Sequence, residues 1–156
     1  NNTINPRINN TINPRINDTI NPRINNTINP RINNTINPRI NNTINPRINN
    51  TINPQINNTI NPKINNTINP NINNSYKGLF IFNMDLDLYE FIVHVNDNFI
   101  QIFDFHLNNT RFGVETNNNG YALFDLDGNY IGHLQSDSNE GYNEFDADNN
   151  WTRIVK

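Results

Sequence analysis

Asn1, Asn9, Asn17, Asn25, Asn33, Asn41, Asn49, Asn57, Asn65 and Asn73 recur at a spacing of eight residues, each with Thr or, at the last, Ser two places on. Asn-x-Thr/Ser with x other than Pro is the acceptor pattern for N-linked sugar, attached through the side-chain amide nitrogen. Asn108 and Asn150 repeat the pattern outside the series. A single acceptor pattern says little, whereas ten in strict register predict a segment that carries glycans along its length. Thr3 and, if hydroxylated, Pro6 are rival attachment points.

Other chemistry has weaker support. Asp85/Asp87, Asp125/Asp127 and Asp146/Asp148 are oxygen-rich pairs of the kind calcium takes, the best being Asp125-Leu126-Asp127-Gly128-Asn129. They lack the spacing of a calcium loop, so turn-forming Asp is the reading preferred over a calcium site. His94, His106 and His133 show no zinc spacing and are expected on strand surfaces. No cysteine is present, which excludes thiolate chemistry and disulfides. No pair of carboxylates is singled out for glycosidic work, and no phosphate loop or Ser-His-Asp set stands out. No enzyme, no catalytic residue and no metal or other cofactor is therefore expected, apart from covalent glycan.

The elements behind these residues fall into two parts. All nine Phe, all five Tyr, the one Trp and all six Gly lie beyond Ser75. Residues 1–75 carry six Arg and one Lys against one Asp, a net +6, while residues 76–156 carry 13 acidic against four basic residues, a net −9. The first part repeats Asn-Asn-Thr-Ile-Asn-Pro-Arg-Ile through Ile72, with departures only at Asp18, Gln55, Lys63 and Asn71. Proline every eight residues opposes a helix, and the Asn before it is pushed to extended backbone. The expectation is a fibrous, linear, extended or polyproline-II-like arm without helix. A stacked β-solenoid with Asn-Asn corners and a disordered spacer are the alternatives. One Arg per repeat with no aromatic is a poor nucleic-acid surface, and no apolar run is long enough to span a bilayer.

Residues 76–156 repeat every 21 residues on Phe82, Phe103, Phe124 and Phe145. Each unit reads as an apolar-alternating run, a polar turn and a second run, which predicts about four antiparallel hairpins. Turns are placed at Asn108-Asn109, Asp127-Gly128-Asn129 and Asp148-Asn149-Asn150.

By repeat style, residues 1–75 resemble glycan-coated fibrils built on linear short tandem repeats. That resemblance implies a sugar sheath supplying rigidity. Gly120…Phe124-Asp125…Gly128-Asn129 and Gly141…Phe145-Asp146 resemble YD repeats of the rearrangement-hotspot family, with Phe in place of the family's Tyr and Asn149 in place of its Gly. That family builds β shells and implies no active site.

The reading is a structural protein, extracellular or on the cell surface: a sugar-bearing repeat arm, 1–75, joined to a small all-β domain, 76–156, that anchors or self-assembles into filaments. A carbohydrate- or cell-surface-binding module on a spacer is the alternative, with Tyr121, Tyr130, Tyr142 and Trp151 as a candidate aromatic strip. A solenoid such as an ice-binding protein with a flat Thr ladder is the third.

Overall fold

The computed structural model describes residues 4–156 and overturns the expected architecture. Residues 80–155 form a closed antiparallel barrel in strand order β1 to β8, each strand pairing with its sequence neighbours and β1 closing on β8. The strands are β1 Phe80–Phe82, β2 Leu88–Asn96, β3 Phe99–Asp104, β4 Asn109–Thr116, β5 Gly120–Asp125, β6 Tyr130–Ser136, β7 Tyr142–Asp146 and β8 Trp151–Val155. A row of separate hairpins is therefore not what forms, because closure removes every edge.

One side of each strand faces inward. Ile81, Ile92, Ile100, Ile102, Tyr121, Leu123, Leu134 and Val155 make the central core. Near the β3–β4 turn end, Arg111 fills the barrel between Glu90 (2.7 Å) and Glu144 (2.9 Å), and Arg153 joins Glu144 at 2.9 Å. Burial works against the Arg111 charge, and Glu144 and Glu90 outweigh it, holding the guanidinium above its ordinary value.

The outward side of the barrel is apolar too. Phe91, Phe99, Phe103, Phe112, Phe124 and Phe145 point away from the interior yet are fully buried. Strands covered on both faces carry near-continuous apolar runs rather than strict alternation, which is how Phe99-Ile100-Gln101-Ile102-Phe103 and Tyr121-Ala122-Leu123-Phe124 read. What covers them is the octapeptide segment. Ile36 and Ile52 pack with Phe99, Phe112, Val114, Ala122 and Phe124, with Ile44 alongside, and Ile68 packs on Phe91, Val93 and Phe103.

The segment is a ribbon of tight turns, not an extended rod. Each octapeptide makes two turns, each begun by an Asn. In one, the Asn49 side-chain oxygen accepts from Thr51 N (3.1 Å) and Thr51 Oγ1 (2.7 Å), capping a short 3-10 turn Asn50–Ile52. In the next, Asn53 Oδ1 accepts from Gln55 N at 2.9 Å, and Asn53 O accepts from Ile56 N (3.0 Å) and Asn57 N (2.8 Å). Asn53 is extended (φ −97°, ψ 112°), as the following Pro requires, but that Pro then takes the second place of a turn, where its fixed φ is favourable. Asn side chains thus supply the local hydrogen bonds an extended chain would lack. The whole chain exposes 8239 Å², close to the roughly 8,100 Å² of a compact folded monomer of its mass, 18.1 kDa.

Candidate functional site

The ribbon presents the repeated chemistry of the molecule. Its first Ile in each octapeptide turns inward, as Ile12, Ile20, Ile28, Ile36, Ile52 and Ile60 show by their burial. The second Ile turns outward: Ile8, Ile16, Ile24, Ile32, Ile40, Ile48, Ile56, Ile64 and Ile72 are all 55–60% exposed. Exposed Thr and Asn lie between them, each Thr hydroxyl held by the Asn two residues before it, as in Thr35 to Asn33 (2.6 Å) and Thr43 to Asn41 (2.7 Å). The surface is periodic and ordered, and it bends with the barrel because successive octapeptides meet β7, β5, β4, β3 and β2 in turn.

The acceptor asparagines have structural work in this ribbon. Asn1 lies outside the described residues. The oxygen of Asn9 takes Thr11 N at 3.0 Å. Asn17, Asn25, Asn33, Asn41, Asn49, Asn57, Asn65 and Asn73 each donate their amide nitrogen to the carbonyl of the residue six places back, at 2.6–2.8 Å. The nitrogen that sugar would use therefore ties one octapeptide to the next. Asn108 and Asn150 lie just past barrel turns and are exposed, with amide nitrogens directed at Asp104 (3.5 Å) and Asp146 (3.0 Å).

In the pairs Asp125/Asp127 and Asp146/Asp148 the first Asp is a turn device, whereas Asp85 and Asp87 donate their backbone N–H groups to Asn83. Asp125 Oδ1 accepts from Asp127 N (3.0 Å) and Asn129 N (2.9 Å), and Oδ2 accepts from Asn129 Nδ2 at 2.9 Å. Asp104 and Asp146 do the same with their own turns, and Asn83 takes the corresponding place between β1 and β2. Partial burial opposes ionisation of Asp125, but these hydrogen bonds hold its carboxyl below the usual range. Among the described residues no group of three or more His, Asp or Glu is placed to hold a metal ion. The expected turn at Asn108-Asn109 falls instead at Asp104–Leu107, and Asn109 opens β4. Left-handed backbone sits at Leu86, Leu107, Gly128 and Asn149 in these four turns, and at Asn119, Ser138 and Glu140 in the β4–β5 and β6–β7 turns. Turn chemistry favours Gly and Asn at such a position and gives no hint of Leu.

The aromatic residues do not form an exposed strip. Tyr121 and Tyr142 meet edge to face (5.8 Å) at the core. Tyr130 packs on Phe124 beneath Arg31, and Arg7 lies over Trp151. His133, expected on a surface, is buried against Phe145 at 5.2 Å with neither ring nitrogen bonded. Burial pushes its pKa down to about 4. His94 and His106 are exposed.

Sequence reasoning missed the joint between ribbon and barrel. Arg23 pairs with Asp148 and Arg47 with Asp127, while Arg15, Arg39 and Lys63 reach the side chains of Asn150, Asn129 and Asn108. Gln101 Nε2 donates to Ile52 O and Asn143 Nδ2 to Ile4 O, both at 2.8 Å. The opposite charges of the two parts were the available signal. No helix among the described residues is long and apolar enough to cross a membrane. No protein-family model, curated protein or solved structure matches the chain.

Proposed function

We propose that this is a non-catalytic structural surface protein that associates through the outward face of its ribbon. The observation that carries the reading is the row of nine Ile, alike in exposure and eight residues apart. Singly scattered exposed apolar residues are ordinary, but a repeated row marks a contact surface. Ordered Thr and Asn between them would give the row its polar register. The bend of the ribbon favours a partner that follows it, such as the ribbon of another molecule, over a flat crystalline lattice.

An extracellular setting accords with the acceptor patterns. A glycan on a ribbon Asn would replace one amide hydrogen and leave the other for the cross-repeat bond, and intact mass before and after glycosidase treatment tests for it. The test of association is sedimentation of the full chain carrying Ile32→Ser, Ile40→Ser and Ile48→Ser together. Self-association falls at least tenfold while the unfolding midpoint stays put. Unchanged association of this triple variant refutes the outward row as the contact.

A further inference from the structure

Ribbon and barrel share a register of three octapeptides to one 21-residue strand pair. Arg23 meets Asp148, and 24 residues later in the ribbon Arg47 meets Asp127, 21 residues earlier in the barrel. The same step relates Arg7 over Trp151 to Arg31 over Tyr130. It also carries Arg15 with Asn150 to Arg39 with Asn129 and then to Lys63 with Asn108. Where the barrel residue changes from Asp to His106, the ribbon residue changes from Arg to Asn71, which bonds the neighbouring Phe105 O at 2.9 Å. Nine octapeptides thus serve β7–β8, β5–β6 and β3–β4.

The fourth pair, β1–β2, has no run of its own: among the described residues only Ile68 and Tyr76 reach it, on Phe91 and Val93 of β2, and its turn end is left open. The tenth repeat keeps only its first half: Tyr76 replaces the inward Ile, then Lys77 and Gly78 replace Asn and Pro, and the chain enters β1. Around the β1–β2 turn Leu86 (59%), Leu88 (51%) and Tyr89 (49%) are exposed. Yet this turn is built as the other three are, with Asn83 O accepting from Leu86 N at 3.0 Å and Leu86 left-handed. Phe82 stands where Phe103, Phe124 and Phe145 stand, and Asp85 where Asp127 and Asp148 meet their arginines. Asp87 occupies the place of Asn129 and Asn150. Among the described residues no ion pair reaches Asp85 or Asp87.

We infer that the open face around the β1–β2 turn is a seat for further Asn-Asn-Thr-Ile-Asn-Pro-Arg-Ile octapeptides supplied from outside residues 1–156. The seat supplies two carboxylates for its arginines and Phe82 and Leu88 for its Pro and inward Ile. The ribbon already packed on a second copy is not the occupant, since exchanging ribbons empties as many seats as it fills. This inference goes beyond the outward-row reading and does not depend on it, because the seat uses the ribbon's inner face.

The probe is a synthetic 24-residue peptide of three such octapeptides, titrated into the full chain by calorimetry with hydrogen exchange followed in parallel. One-to-one binding is expected, weakened about tenfold by the double variant Asp85→Asn/Asp87→Asn and about as much when the peptide arginines become Gln. Exchange should slow around residues 82–90 while the chain's own ribbon stays protected. The Ile32/Ile40/Ile48 variant should bind the peptide as the parent does, which separates the two readings. No binding at millimolar peptide, equal binding by a scrambled peptide, indifference to the Asp85/Asp87 change, or loss of protection in residues 4–72 would each overturn the inference.

Discussion

The ribbon and the barrel use one turn device to opposite ends. In both, a side-chain oxygen of Asn or Asp accepts from the backbone N–H two residues on, as Asn49 does for Thr51 and Asp125 for Asp127. In the barrel these turns join strands that already share an enclosed core. In the ribbon they are nearly all the internal order there is, and the apolar contact comes from phenylalanines of the other part. Order without a core of one's own requires a surface to lie on. The barrel, equally, would expose its outward Phe belt without the ribbon. Neither half is a complete solution to burying its apolar residues.

Changes at graded depth test that division. The largest effect is expected inside the barrel. Arg111→Leu leaves Glu90 a buried charge without a cation and Glu144 with Arg153 alone, and should cost about 3–5 kcal/mol in urea unfolding. A loss under 1 kcal/mol would mean the ion network is not needed to fill the barrel. Next comes the seam. Ile52→Ala, at a residue 1% exposed beside Phe99 and Phe112, should cost about 2–4 kcal/mol in one cooperative transition. Ile56→Ala, four residues on and 57% exposed, should stay within about 0.5 kcal/mol. Equal costs at the two positions would break the inward–outward assignment.

His133 sharpens the comparison through pH. Its folded pKa is depressed to about 4 from 6.5, so the unfolded chain takes up the proton first. The stability this burial leaves intact is whole above pH 6.5 and drains as pH falls toward 4, by up to about 3 kcal/mol. His133→Phe places there the residue found at Phe112, one 21-residue step earlier, and should flatten that acid limb in denaturation curves at pH 7, 5.5 and 4. Smaller again, Asn49→Ala should cost about 1 kcal/mol through its lost cap, read from the thermal midpoint. Smallest is Arg23→Gln: this ion pair has side chains 61% and 71% exposed, and its loss should cost less than about 0.5 kcal/mol, vanishing in high salt.

Parts of this were legible from residues alone. Alternation and turn residues point to β structure after residue 76, and the Asn before each Pro is extended as steric rules require. The rod was the wrong conclusion from the ribbon, because proline opposes a helix but equally suits the second place of a turn, and the Asn oxygens select the turn. The acceptor pattern Asn-x-Thr is also the pattern of an Asn-capped turn, so its regularity has a conformational cause in addition to any chemical one. Gln101 amid apolar neighbours gave a faint sign of a second buried face. Its partner, Ile52 O, lies 49 residues away and cannot be guessed.

Local chemistry was settled by composition and spacing: that the part beyond residue 76 is β-rich, that the halves are oppositely charged, and that no thiol is present. These depend on interactions within a few residues or on sums over many. Closure of β1 on β8, the buried His133, the exposed Leu86 and Leu88 at the β1–β2 turn and the assignment of each Ile to inside or outside came from the assembled fold. They depend on contacts between distant segments, which many sequences with the same local pattern would make differently.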